Sequence, residues 1–592
     1  DKDGNLIKKC NLVKGNWTPI VSEEVWWLAN EIRTKRAKEY IYSEKGNIVT
    51  GLREPKDIIA QKSFCQCGYT RSIQYVHVAT QKKEAQFRYT CRCQINSGSH
   101  KEKSVCHVPA VSEVKLWLMS LKVFGYIFGD SKDEILYTIN LLKEAHNAGI
   151  KIIMDLAVCA SSIEHKWFKE SKKSRDNKYS DYYIWKDPKE DGSAPNNWGS
   201  IFGSGSAWEY VEERGQYYLH LFAVEQPDLN WENPDLRKEV YDNMEFWLKK
   251  GIDGFRLDSI SLISKKQDFP DDPAAIENGY GSPYFGASNG PRVHEFLQEM
   301  YEKVLSKYDV MTVGEATRTC VDNALLYCQP ERKELNMVFQ FDHMHVDYGK
   351  FGRYSDLKFK LSDLKEAMFL WQKSLNGVGW NSLYWDNHDQ PRFVSRYGND
   401  DSKYRKLSAT MLATVLYFQQ GTPFIYQGDE IGMTNVAFDS IDSYKDIEAH
   451  NMYLKFSNMG LSNDEIMNYI HNKSRDNART PMQWNSNSFA GFSCVDPWIE
   501  LNPNYSKINV ENDMNSDFSI HDYYKKLIKY RKGNEIVRDG DFKEIGLEDS
   551  DIFSYTRTYK GKTLLVLGSF SDKKVCYNIP NNLQKFKREL VI

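Results

Sequence analysis

The sequence predicts an α/β protein organised around a parallel barrel, on two observations. Apolar strand-like runs alternate with amphipathic helical stretches from about residue 134 to 426. Three of the runs lead into an isolated carboxylate: Asp258, Glu315 and Asp389. Strand–helix alternation favours a parallel sheet, and parallel barrels gather their chemistry at the C-terminal ends of their strands.

The elements follow in order. Residues 134–147 have helical periodicity, with Gly149 placed to close the helix, and 150–156 form a short apolar strand. Residues 161–222 are polar and rich in Tyr, Trp, Asn and Gly, the composition of an irregular excursion. A helix over 233–250 leads into the strand 251–258, Gly-Ile-Asp-Gly-Phe-Arg-Leu-Asp. A helix over 292–307 precedes the strand 309–315, which ends Val-Gly-Glu. A helix over 361–375 precedes the strand 379–386, followed by Asn387-His388-Asp389. The last pair is a helix over 403–419 and a strand over 423–426. From about 517 one more helix leads into alternating strands at 554–559 and 563–570, a small antiparallel β domain.

Composition narrows the function. A chain of 592 residues with 41% hydrophobic content can bury a large core and one or two smaller domains. A net charge of −3 gives no basic field for nucleic acid. No apolar run approaches the roughly 18 residues of a membrane span, and no leader segment is visible. Eleven Cys in so long a chain are no disulfide framework, which fits a reduced, cytoplasmic setting.

Two carboxylates flanking one bond are the minimum for splitting a glycoside. Arg256 lies two residues before Asp258 on one strand and so shares its face. A neighbouring guanidinium keeps a carboxylate ionised, as a nucleophile requires.

Further strings extend the pattern: Gln-Pro-Asp-Leu-Asn-Trp at 226–231, Tyr-Gln-Gly-Asp-Glu-Ile-Gly-Met at 426–433 and Ser-Arg-Asp-Asn-Ala-Arg-Thr-Pro-Met-Gln-Trp at 474–484. With the three carboxylate motifs, and in this order, they resemble the oligo-1,6-glucosidase and α-glucosidase branch of the α-amylase superfamily, from about Phe128 onward. The resemblance implies a (β/α)8 TIM barrel with an irregular subdomain after strand 3 and a C-terminal antiparallel β domain. The expected boundaries are barrel at 128–160 and 223–516, inserted subdomain at 161–222, and β domain at 517–592. It implies that Asp258 is the nucleophile, Glu315 the acid/base, and Asp389 the third acid beside a sugar-binding His388. Gln226, Arg256, Ser259 and Arg475 fall on substrate-pocket positions, and Arg475 could pair with Asp389.

Three departures stand out. The family's third-strand motif ends Asp-x-x-x-Asn-His, whereas here Asp155 leads to Cys159 and Ala160. Ser259 replaces the Val that accompanies α-1,6 preference or the Thr that accompanies α-1,4, leaving the linkage open. Residues 1–127 stand where the first barrel strands are expected. They lack the family's Gly-Tyr-Asp segment and a convincing calcium loop. The run Asp1-Lys-Asp3-Gly-Asn5 has calcium-like spacing without the downstream acid. For 30–127 three readings compete: a diverged or inserted segment, a zinc module using Cys65, Cys67, Cys91 and Cys93, or a misread sequence. The paired Cys are one residue apart, whereas structural zinc sites use two to four.

The expectation is a retaining exo-α-glucosidase acting on short α-glucosides of isomaltose or maltose type. It would be a monomer with no cofactor or metal, no nucleic-acid partner and no membrane. The alternatives are a non-catalytic homologue, favoured by Ala160 and the missing motifs, and a sucrose isomerase or transglucosidase sharing the covalent intermediate. The isomerase Arg-Leu-Asp-Arg-Asp segment is absent from the corresponding 342–347 region.

Overall fold

The computed structural model describes residues 131–584 except 204 and 275–278, together with the backbone of three N-terminal strands. The chain divides into two compact units, 1–137 and 138–592. In the first, strands β1 (Arg71–His77), β2 (Gln86–Cys91) and β3 (Val111–Ser112) form an antiparallel sheet in that order. The expectations placed on the rest of 1–127, including the four-thiol zinc option and the calcium-like run, fall outside the described residues.

The second unit carries the barrel. Helix α1 (Ser131–Asn147), within which the division at 137/138 falls, ends near Gly149, whose φ of +72° suits a residue without Cβ. Strand β4 (Ile153–Ala157) follows. The excursion after it contains a small antiparallel sheet of β5 (Trp185–Lys186), β6 (Trp208–Val211) and β7 (Gln216–Leu219), in the order β5-β7-β6. Helix α2 (Pro234–Lys249) begins where the Asn233 side chain accepts from the amides of Asp235 and Leu236, with Pro at its first turn. Strand β8 (Gly254–Asp258), helix α3 (Val293–Lys303) and strand β9 (Met311–Glu315) come next, then α4 (Val321–Cys328) and β10 (Met337–Phe339). Helix α5 (Leu361–Leu375) precedes β11 (Ser382–Leu383), and α6 (Arg405–Tyr417) precedes β12 (Thr422–Pro423). Strands β4, β8, β9 and β10 are neighbours in one parallel sheet, and β11 pairs β12 in parallel.

The core lies between these strands and their helices. Phe255, Leu257, Phe296, Leu297 and Met300 are fully buried in one cluster, as the alternation of β8 and the apolar face of α3 require. Gly254 is dictated by closeness: a Cβ there would lie 1.9 Å from the Met311 carbonyl oxygen of β9. A second cluster joins α6 and α10 (Ile520–Gly533) to an antiparallel sheet of β13 (Asp541–Ile545), β14 (Ile552–Tyr559) and β15 (Lys562–Ser569).

Three features depart from the sequence expectations. The strand expected over 379–386 contracts to Ser382–Leu383, the two residues that pair with Thr422–Pro423, although the chain stays buried through Asp386. Strand β10 has three residues, too few to show a period. Helices α7 (Ile447–Asn458), α8 (Asn463–Lys473) and α9 (Asp476–Arg479) were not expected.

Candidate active site

Strand register builds the centre of the site. Asp155 of β4 pairs with Arg256 of β8, and Leu257 of β8 with Gly314 of β9, so Asp258 and Glu315 come next to each other at two strand ends. Neighbouring strands run about 4.8 Å apart, so these two carboxylates are lateral neighbours. One guanidinium binds all three acids. Arg256 Nη1 donates to Asp155 at 2.8 Å and to Asp258 at 2.5 Å, and Nη2 donates to Glu315 at 2.5 Å. The Ser259 amide, set by a left-handed φ of +45°, also donates to Glu315 at 3.2 Å.

Burial pushes the Glu315 carboxyl up, Arg256 opposes this, and the charges of Asp258 and Asp389 raise it further, to about 7. The Arg256 guanidinium also loses solvation by burial. The facing charges of Glu315, Asp258 and Asp155 outweigh that loss and hold it firmly charged.

Asp389 sits in the loop after β11. The Asn387 side chain accepts from its amide at 2.8 Å, turning the chain so that His388 and Asp389 face the cleft. His388 Nε2 lies 3.2 Å from the Asp389 carboxylate. Burial alone would raise Asp389; the His388 hydrogen bond and the charges of His388, Arg475 and Arg479 overcome it and hold the carboxyl well below its usual range. The His388 imidazole is raised in return, first by that hydrogen bond.

The three unexpected helices supply this support. Arg479 donates from Nη2 to Asp389 and from Nε to the His388 carbonyl. Arg475 is bound to Asp446, with Nε at 2.9 Å and Nη2 at 2.5 Å, and stands 3.7 Å from Asp389. Its guanidinium lies over the Phe202 ring. Asp446 is also the N-cap of α7. Arg353 joins Glu448 at 3.1 Å and donates to the Asp389 carbonyl at 2.8 Å.

The other wall, at the end of β4, is built differently. Ala160 makes an antiparallel bridge to Asp228 and is half-buried. Below it Lys265 and Asp228 form an ion pair at 2.7 Å, both inaccessible to solvent. Cys159 Sγ approaches Asp228 at 3.5 Å, and burial pushes its thiol well up. Gln226 lies in the exposed turn before Asp228, its Oε1 accepting from the Ala223 amide at 3.3 Å.

The structure therefore brings Arg256, Asp258, Ser259, Glu315, His388, Asp389 and Arg475 together, and leaves Gln226 engaged with its own turn. Asp155 and Arg479 were missed as site residues. The signal for Arg479 lay in the 474–484 string, since Arg475 and Arg479 are four apart and share one face of a helical turn. Among the described residues no cluster of three or more metal-ligating side chains occurs, and no helix is long and apolar enough to cross a membrane.

Adjacent carboxylates at barrel strand ends, bridged by a guanidinium and backed by a third acid, define a class, the glycoside hydrolases. Comparison with known proteins agrees. Residues 113–540 match the family model described as the catalytic domain of alpha amylase. An oligo-1,6-glucosidase of Parageobacillus thermoglucosidasius is 53% identical over 455 residues, 76% of this chain and 80% of that one. The trehalose-6-phosphate hydrolase of Bacillus subtilis is 49% identical over 455 residues, with the same shares covered. Among solved structures, the trehalose-6-phosphate hydrolase of Bacillus licheniformis superposes with a TM-score of 0.71 at 48% identity, over 76% of this chain and 80% of that one. The trehalulose synthase of Pseudomonas mesoacidophila does so with 0.72 at 38% identity, over the same shares. This chain belongs to the alpha-amylase family, and it is an α-glucosidase-type glycoside hydrolase.

Proposed function

We propose that the chain removes single glucose units from short α-glucosides by a retaining mechanism, with Asp258 as nucleophile and Glu315 as acid/base. The observation that carries this is the Asp258–Glu315 register on adjacent strands with Arg256 bound to both. Retaining glycosidases hold their two carboxyls about 5–5.5 Å apart, without room for an intervening water, and adjacent strand ends sharing one guanidinium support such a close pair and a covalent glycosyl intermediate. Arg256 donates to Asp258 and fixes its carboxyl at the strand end. Glu315, near 7, can give a proton to the glycosidic oxygen and later take one from water. Asp389, held ionised and anchored by Arg479, is placed to accept from sugar hydroxyls, and His388 beside it to donate.

The relatives named oligo-1,6-glucosidase, at 52 and 53% identity, support α-1,6 bonds of isomaltose type as the preferred substrates. The assembled network favours the catalytic reading over the non-catalytic one, because all three carboxylates are present and each is partnered by Arg at the strand and loop ends. The test is proton NMR of the first product from isomaltose and from maltose. Release of the α-anomer of glucose, faster from isomaltose, is expected. Release of the β-anomer would overturn the retaining assignment.

A further inference from the structure

A half-open cavity of about 150 Å³ lies in the subdomain against strands β5 and β7, and its lining includes Asp181, Lys186, Arg214 and Gln267. None of the residues bonded around Asp258, Glu315 and Asp389 lines it. Arg214 is its fixed point, only 8% exposed. Its Nε donates to Gln216 at 2.8 Å, its Nη1 to the carbonyls of Ser171 and Ser174 at 2.5 and 2.8 Å, and its Nη2 to Ser180 Oγ at 2.9 Å. A guanidinium carries five N–H donors, so one on Nη2 bonds to no described residue. Burial works against the Arg214 charge, and the Asp181 carboxylate favours it without reaching ion-pair distance.

The other lining groups also hold capacity in reserve. Lys186 Nζ lies 4.4 Å from the Phe269 ring centre and makes no ion pair with a described residue. The Asp181 backbone carbonyl accepts from Asn230 at 3.0 Å, while its exposed carboxylate bonds to no described residue. Gln267 donates from Nε2 to the Lys265 carbonyl at 3.0 Å, which leaves its Oε1 to accept. Buried charges are ordinarily paired. Here two cations and a carboxylate line one cavity, and none is in an ion pair with a described residue.

A ligand for this lining must offer donors and acceptors together. An inorganic anion would suit the two cations but be repelled by Asp181. A sugar hydroxyl donates and accepts in one group. Ring stacking is already used up: Arg214 lies 4.3 Å from the Trp185 ring centre, Phe168 stacks on the same indole, and Lys186 covers Phe269. Recognition therefore falls to hydrogen bonds. The volume is below the roughly 300–1,000 Å³ of drug-sized pockets, a space for one sugar ring and not for an oligosaccharide.

We propose that this cavity is a second, non-catalytic site that binds one glucose unit. The choice of glucose rests on the α-glucosidase reading, which makes glucose the released product.

An NMR titration of the full chain with glucose tests it, with the catalytic cleft first saturated by 1-deoxynojirimycin, a cationic glucose mimic suited to an acidic site. Glucose should still bind the blocked wild type. Asp181→Ala and Lys186→Met should each weaken that remaining binding by about tenfold, the size of one charge-assisted contact. Both residues lie outside the cleft, so kcat/KM on an aryl α-glucoside should match wild type in each variant, which also reports an intact fold. Loss of all glucose binding on blocking the cleft would overturn the proposal, as would remaining binding that neither variant changes. Binding of inorganic phosphate in place of glucose would overturn it too, since charge and not the hydroxyl pattern would then decide. If the blocked protein binds glucose while the free protein hydrolyses no α-glucoside, the reading of the cleft fails and the second site stands.

Discussion

The two walls of the cleft spend their polar groups in opposite ways. On the wall formed by β8, β9 and the loop after β11, Arg256, Asp258, Glu315, His388 and Asp389 are bound to one another yet still face the opening. On the wall at the end of β4, Lys265, Asp228 and Cys159 satisfy one another inside the protein, and Ala160 is left at the rim. The first wall is arranged for bond breaking and the second for holding its own shape. The bonded cluster around Asp258, Glu315 and Asp389 and the self-satisfied Lys265–Asp228 pair are thus separate networks, and a lesion in one need not disable the other.

The largest effect should come from the first wall. Asp258→Asn cannot form a glycosyl ester, so kcat on an aryl α-glucoside should fall by several orders of magnitude, as for other nucleophile removals. Circular dichroism should remain that of wild type. Near-parental turnover in a folded variant would place the nucleophile elsewhere.

The second wall should answer in stability instead. Lys265→Met leaves Asp228 charged and buried, a loss of about 3–5 kcal/mol by denaturant unfolding. Adding Asp228→Asn should recover much of it, since the uncompensated charge is then gone. If Lys265→Met were as stable as wild type, the pair would not be what shapes this wall.

The pH dependence sharpens the contrast, because Glu315 belongs to the first wall. Glu315 must be protonated to act as the acid and is raised to about 7, first by burial. Then kcat/KM should be level below that value and fall about tenfold per pH unit above it. Folding shares the sign: the folded carboxyl binds its proton more tightly than the unfolded one at 4.5. Its contribution to stability is therefore complete below about 4.5 and lost as pH rises through about 7. A profile level from about pH 5 to 9 would remove Glu315 from the acid role.

These walls also explain what the sequence made legible. Strands 254–258 and 311–315 could be read because each couples an apolar run to one terminal carboxylate, and register then brings Asp258 beside Glu315 without further information. Helices α2, α5 and α6 carry long periodic faces. Helices α7 to α9 were less visible, because their polar surfaces resemble loop composition. The capping box of Ser462 and Glu465 was the available signal for α8. Asp155 escaped as a site residue because its role exists only through a partner about a hundred residues away, Arg256. Gln226 was read as a sugar ligand from its string, and its Oε1 accepts from the Ala223 amide of its own turn, a local bond that composition does not reveal.

The smallest expected effect concerns the rim of the second wall. Ala160 occupies the position where the resemblance implies a His that donates to the sugar hydroxymethyl oxygen. Its backbone is already fixed by the bridge to Asp228, and the Leu229 amide holds the Cys159 carbonyl at 2.9 Å. Ala160→His should therefore add a side chain at the rim without moving the strand end or the buried Lys265–Asp228 pair. One neutral hydrogen bond contributes about 0.5–1.5 kcal/mol, which is roughly two- to tenfold in rate. The gain should appear in kcat/KM for isomaltose, and less for an aryl α-glucoside whose leaving group already makes bond breaking easy. Unfolding midpoints should match wild type, since the change lies outside the ion pair. A gain confined to stability, with kcat/KM unchanged, would mean that this wall shapes the fold and does not contact the sugar, and the division of labour between the walls would be sharper still.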